Sequence, residues 1–342
     1  MKFRRLGKTN LNISEIGMGT WQITDDPDWG KGPEEKDSFS NLQRFIDLGG
    51  NLIDTAWVYG WREDEPDKHP SEELIGRFLK KTKQRNKVIL ATKIPPMNHT
   101  WPAPEGISIK EIFPQKHILK CVDDSLRSLQ TDCIDLMLFH VWIDEFSKDD
   151  EWKEVCNNLT RQGKVKFWGL SPNYYKPDGC LKTLESGPIS VVQCIFNIYH
   201  QRPITGLFST AHDLDIGIIA CVPLDEGGLT GNINRNTKFP EGDFRVEYFK
   251  NERLEELVRR TSKLKKFLGK EADTLPELAL RFILSFNEIS AVIPGMRRLQ
   301  YVESGTAVSD GRKLSPLLLN ELKKHTWERN FYPWVSKFQQ WL

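Results

Sequence analysis

Short apolar runs recur along the chain, and each is followed by a longer stretch whose apolar positions return every three or four residues. Read as strands, the runs cover residues 16–20, 51–56, 88–93, 133–140, 165–170, 191–197, 216–222 and 291–294. Several are apolar without alternation, the pattern of parallel strands covered on both faces. The intervening stretches read as helices. Residues 38–48 carry Phe39, Leu42, Phe45, Ile46 and Leu48 and end at Gly49-Gly50, a C-terminal stop. Residues 71–81 open on Ser71 as a cap, with Glu72 and Glu73 in the first turn. Further helical periods cover 117–129, 254–268 and 275–286.

Strands alternating with helices predict parallel βαβ units. Repeated eight times in one domain over residues 1–342, they predict an α/β fold, either a (β/α)8 TIM barrel or an open doubly wound sheet, between which the periodicity alone does not choose. Residues 1–14 are polar, with Gly7 and Asn10 as turn signals, and predict a hairpin capping one end of the barrel. Long segments at 95–114 and 225–245, and shorter ones at 62–70 and 144–150, follow strand C-termini, where barrel enzymes build their sites. The C-terminal stretch 330–342 holds Phe331, Tyr332, Trp334, Phe338 and Trp341. It is expected to pack across the barrel or to reach its pocket.

Charge excludes some classes of partner. The formal net charge is +1, without a single-sign block, so the footprint of a nucleic-acid binder is missing. The six cysteines form no CxxC pair and no metal-ligand spacing with histidine, so no metal site is expected and the thiols read as reduced and buried. No apolar signal core opens the chain and no segment is long enough to span a membrane, which points to the cytoplasm.

Asp54, Lys93 and His140 each close an apolar strand, and Tyr59 lies just beyond the second. An ionisable group in such a place is costly unless paired, and neighbouring barrel strands would bring these ends together. A free phenol, with a pKa of about 10, is a poor acid at neutral pH. An ammonium beside it lowers that pKa. Lys93 could act so on Tyr59, held by Asp54, while His140 could donate to a carbonyl oxygen. Such a group would suit reduction of a carbonyl, where an alkoxide must receive a proton.

The chain resembles the aldo-keto reductases over nearly its whole length. Asp54, Tyr59, Lys93 and His140 fall on that family's tetrad, and the stretches IGMGTW, PSEELIGRFL, GLSPN, VVQCIFN, VPLDEGGLTG and VIPGMR match as well. The resemblance implies NADP(H) as cofactor and a small-molecule carbonyl as substrate. It places Gly19, Thr20 and Trp21, with Asp54, on the nicotinamide ribose side, and Ser171, Asn173 and Gln193 at the carboxamide. Pro223, Leu224 and the backbone of Gly227, Gly228 and Thr230 would wrap the pyrophosphate. Gly295, Arg297 and Arg298 would hold the 2′-phosphate, at the start of a helix expected over 297–306. Trp21, Trp57, Trp142 and Tyr199 are expected to wall the substrate pocket, with His99 and Trp101 closing over it.

Four features depart from the common pattern. Pro172 separates Ser171 from Asn173, Cys221 stands where an aromatic often stacks on nicotinamide, Tyr301 and Gly305 replace residues that touch adenine, and the segment after Tyr59 is long and charged. Tyr301 is expected either to bind the cofactor by stacking on the base or to be a core or surface tyrosine. Two other functions fit such a barrel. One is a cofactor-binding regulatory subunit of the potassium-channel β type; the other is a lyase using Lys93 as a Schiff base.

Overall fold

The computed structural model describes residues 1–327; the aromatic stretch at 330–342 lies outside them. Two short antiparallel strands, β1 (Phe3–Arg5) and β2 (Asn12–Ser14), form the hairpin. Eight more follow: β3 (Met18–Gly19), β4 (Leu52–Asp54), β5 (Ile89–Ile94), β6 (Ile134–Phe139), β7 (Val165–Leu170), β8 (Ile189–Ile195), β9 (Gly217–Cys221) and β10 (Ile289–Val292). Every neighbouring pair is parallel, in sequential order from β10 back to β3. Parallel bridges from Ile16 to Val292 and from Gly19 to Gly295 join the two ends, so the sheet closes into the barrel. Closure decides against the open sheet.

The barrel packs on both faces, which is why its strands carry little alternation. Leu52, Ala91, Leu136, Leu138, Val191, Ile219 and Ala291 fill the interior, joined from below by Leu6 and Ile13 of the hairpin. The outer faces carry Ile53, Leu90, Met137, Phe139, Trp168 and Val192 against the helices. The hairpin seals the barrel floor by close backbone approach. A Cβ on Gly7, whose φ is +47°, would meet the Gly217 nitrogen at 2.2 Å.

Helices span Glu35–Asp47, Pro70–Thr82, Gln115–Ser128, Glu151–Arg161, Glu252–Leu264 and Leu275–Leu284, with shorter ones between. Two details differ from the sequence expectations. Ser71 is not a cap: the helix begins at Pro70, and the buried Ser71 Oγ sits between Thr20 and Thr55, where it joins the strand ends. The last barrel helix starts at Leu299 rather than 297, which leaves Arg297 and Arg298 on the approach to it. The long third segment also holds a single helical turn, Ile109–Ile112, closed by a capping box between Ser108 and Glu111.

Candidate active site

The C-terminal ends of β4, β5 and β6 bring the four residues together. Lys93 is 1 % exposed, and its ammonium has three partners for three donors: Asp54 Oδ1 at 2.6 Å, the Thr55 carbonyl at 2.7 Å and the Tyr59 hydroxyl at 3.3 Å. The other oxygen of Asp54 accepts from Gln193 Nε2 at 2.7 Å. The lysine is therefore fixed at both ends of its reach, and the phenol lies within its field. Burial pushes the Asp54 carboxyl up, against the pull of Lys93 and Gln193.

The phenol differs from expectation. Burial first, then the negative charge of Asp54, hold Tyr59 well above the ordinary phenol range, although the Lys93 ammonium lies beside it. Tyr59 is thus held as a neutral, protonated group. His140 is neutral too: burial, then the charge of Lys93, push its imidazole well below its usual value. Its ring meets that of Tyr59 edge-on, with centroids 6.1 Å apart. Its backbone is tied by a bond to the Ile94 carbonyl, and its Nδ1 is buried without a partner among the described residues. A protonated phenol and an unsatisfied imidazole nitrogen side by side suit a carbonyl oxygen.

Around this centre the expected pocket residues divide. Trp21 stacks on Tyr59, with centroids 5.5 Å apart and planes 15° apart. Trp101 meets His140 edge-on at 5.8 Å, and His99 stacks on Trp61 at 4.6 Å, so the third segment does reach the mouth of the site. Trp57 is buried beneath them, its indole donating to Asp124 Oδ2 at 3.3 Å and packing on His69. Two residues lie elsewhere. Trp142 is fully buried between sheet and helices, bonded to Thr183 and packed on Phe139 and Trp152. Tyr199 is equally buried, with its hydroxyl on Thr261. Both are core side chains, because the chain past each strand end turns them outward to the helices.

On the nicotinamide side, Gly19 lies against the end of β10, its nitrogen bonded to the Pro294 carbonyl. The Thr20 hydroxyl is committed to the Asp54 carbonyl at 2.8 Å. Ser171 follows β7 directly and is partly exposed. Asn173 is buried, and its amide makes a reciprocal pair with the backbone of Ala103, donating to the carbonyl and accepting from the nitrogen, each at 2.9 Å. It therefore pins the third segment, despite the intervening Pro172. Cys221 ends β9 beside the tetrad, and burial pushes its thiol up to about 12. The next residue, Val222, has φ +51°, a strained value for a β-branched residue; Asn197 holds its carbonyl at 2.9 Å.

Pro223 and Leu224 lead into a turn at Asp225–Thr230 in which Glu226 and Gly227 are left-handed. A Cβ on Gly228 would lie 2.6 Å from Asp225 Oδ2 and 2.9 Å from Leu257 Cδ1, so a side chain there would have to push these neighbours aside. Thr230 closes the turn on the Gly227 carbonyl. Gly295 is exposed at the end of β10, followed by half-buried Arg297 and exposed Arg298. No ion pair or hydrogen bond holds either guanidinium among the described residues. Burial, then the charges of Arg298 and Arg245, lower Arg297. Arg298 lies over the Tyr301 ring at 5.8 Å. The sequence reading missed Arg245, which is paired with Asp243 and lies 3.7 Å from where a Gly227 side chain would begin. A D-x-R spacing in a polar loop carries no signal of that. Three guanidinium groups with one carboxylate among them form a positive cluster that suits a phosphate.

The arginines present thus fit the phosphate of a phosphorylated dinucleotide, Arg297 and Arg298 being without an ion pair among the described residues. Among the described residues, no helix is long and apolar enough to cross a membrane.

Comparison with known proteins bears on the family and the fold. An aldo-keto reductase of Schizosaccharomyces pombe named with NADP(+) is 27 % identical, over 94 % of this chain and 90 % of its own. An NADH-specific methylglyoxal reductase of Escherichia coli is 26 % identical, over 90 % and 93 %. The solved structure of a glycerol dehydrogenase from Gluconobacter oxydans superposes with a TM-score of 0.76 at 26 % identity, covering 97 % of this chain and 98 % of that one. The profile of the aldo/keto reductase family matches residues 15–326, and the chain belongs to that family of carbonyl-acting oxidoreductases.

Proposed function

We propose that the protein reduces an aldehyde or ketone to an alcohol with NADP(H), Tyr59 serving as the general acid. The observation that carries this reading is the Lys93 ammonium, bonded at once to Asp54 and to the Tyr59 hydroxyl inside a buried site. NADP(H), when bound, supplies the hydride. Tyr59 holds the proton at its hydroxyl until an alkoxide needs it. Lys93 donates to the phenol oxygen, so the phenolate left behind is stabilised where it forms. Asp54 fixes the lysine, and Gln193 fixes Asp54. Neutral His140 donates to the carbonyl oxygen and orients it, while Trp21 and Trp101 keep water from the reacting atoms.

Arg297 and Arg298, without an anionic partner among the described residues, favour a cofactor carrying a 2′-phosphate. One relative is named for NADP(+) and another for NADH, so the choice belongs to these side chains. The Schiff-base reading is disfavoured because all three donors of Lys93 are engaged, leaving no lone pair for attack. Steady-state oxidation of NADPH and of NADH against aliphatic, aromatic and sugar carbonyls tests the proposal. Turnover with NADPH, at least tenfold more efficient than with NADH, is expected. No turnover across the panel, with the nucleotide still bound, would favour the regulatory-subunit function instead.

A further inference from the structure

Asp26 follows β3 in a segment that matches none of the motifs above, and it is 6 % exposed. No ion pair reaches its carboxylate among the described residues. Instead Oδ2 accepts two hydrogen bonds, from the Trp21 indole at 3.0 Å and from the Gly60 nitrogen at 2.8 Å. Oδ1 accepts a third, from the Asp28 nitrogen at 2.9 Å. Trp21 is the ring stacked on Tyr59, and Gly60 is the residue after Tyr59. One oxygen thus joins the ring that covers the phenol to the backbone that carries it.

The surroundings are built for this contact. Gly60 has φ +79°, and a Cβ there would lie 2.8 Å from the Asp25 carbonyl, so the absence of a side chain is what lets the two segments meet. Within the turn Asp26 and Gly30 exchange backbone bonds in both directions, at 3.0 and 2.8 Å, and Oδ1 serves the turn through the Asp28 nitrogen, whereas Oδ2 serves Trp21 and Gly60. Burial pushes the carboxyl up to about 6, against the pull of the bonds from Gly60, Asp28 and Trp21. Trp21 stacks on Tyr59 and on Phe244, the latter at 5.9 Å and 13°, and meets Trp29 edge-on at 5.6 Å. These contacts pack the ring, and the hydrogen bond from its indole to Asp26 fixes where its N–H edge points.

We propose that Asp26 is a positioning residue for the proton transfer, locking Trp21 flat against Tyr59 through an oxygen shared with Gly60. The proposal rests on Tyr59 being the acid. Asp26→Ala is the discriminating variant, because it removes both carboxylate oxygens and with them all three hydrogen bonds, whereas an amide could turn its oxygen to Trp21 and Gly60 and lose only the Asp28 contact.

The Trp21 indole resonance is identified in a proton–nitrogen spectrum as the one lost in Trp21→Phe, and its exchange with water is followed in free wild type and in Asp26→Ala. Carbonyl reduction is measured on both at saturating NADPH, in single turnover at saturating substrate and in steady state over a range of substrate. Asp26→Ala is expected to speed indole exchange at least tenfold and to slow turnover about tenfold, with KM changed less than twofold. Turnover at the wild-type rate, or slower turnover with the indole still protected, overturns the proposal. If Asp26→Ala does not fold, Trp21→Phe breaks the same bond from the other end; it should slow turnover about tenfold, and wild-type turnover there overturns the proposal equally. Tyr59→Phe is run in parallel: wild-type turnover in that variant would overturn the acid assignment itself, whereas a slow Tyr59→Phe beside a fast Asp26→Ala would overturn only the role of Asp26.

Discussion

Replacing Arg297 with alanine isolates the contact that would choose the cofactor. The guanidinium is half-buried, lies beside like charges and makes no ion pair among the described residues. In the free protein its removal therefore breaks no ion pair and relieves repulsion from Arg298 and Arg245. Thermal stability should stay level or rise slightly. With a 2′-phosphate in place, the lost hydrogen bonds go to a charged partner, where each is worth about 1.5–3 kcal/mol. That corresponds to roughly 10- to 150-fold in Kd. Arg298 is more exposed and lies over Tyr301, so its removal should cost less. The assay is fluorescence titration of Arg297→Ala with NADPH and with NADH at one ionic strength. NADPH should weaken within that range and NADH by less than twofold. Equal losses for both would remove Arg297 from the phosphate site.

Other consequences follow from buried groups and from chain geometry. Glu72 is wholly buried behind β5 on Thr92, and burial pushes its carboxyl to about 7 from a usual 4.5. A raised acid stabilises the fold below the unfolded pKa and loses that contribution as pH climbs to the folded one, so wild type should lose on the order of 3 kcal/mol between pH 4.5 and 7 from this group. Glu72→Gln keeps the acceptor for Thr92 and should flatten that loss in urea unfolding at pH 5 and 8; an unchanged slope would refute the assignment. Gly60→Ala puts a Cβ against the Asp25 carbonyl at positive φ, and should destabilise by roughly 1–3 kcal/mol while slowing turnover. A variant as stable as wild type in thermal melts would contradict it. Among the described residues no group of three His, Cys, Asp or Glu could hold a metal, so EDTA should leave the rate unchanged; loss with EDTA and recovery with zinc would overturn this.

How much of this was legible in the chain depended on the kind of signal. The strands were, because burial on both faces makes them apolar runs, and only their ends moved: β8 starts at Ile189, two residues before the apolar reading began. Asp54, Lys93 and His140 were legible because ionisable residues at the ends of apolar strands are rare and costly. Trp142 and Tyr199 were not, since an aromatic past a strand end reads alike whether the chain turns it inward or outward. Asp26 and Arg245 were silent for another reason. They sit in polar segments, where a carboxylate or guanidinium is ordinary, and only folding shows that one oxygen meets both Trp21 and Gly60. The Tyr59 pKa inverted for a physical reason: the sequence names the ammonium, but desolvation depends on how tightly the site closes.

The central claim is that Tyr59 gives the proton, and Tyr59→Phe tests it most directly. The substitution removes one hydroxyl, leaves the ring on Trp21, and leaves Lys93 its bonds to Asp54 and Thr55. Fold and cofactor site should therefore persist, and NADPH should bind within twofold of wild type by fluorescence titration. Single-turnover oxidation of bound NADPH by a saturating aldehyde should fall by about 10²–10⁴, the usual contribution of a general acid. A variant that binds NADPH normally and reduces the aldehyde at the wild-type rate would contradict the account.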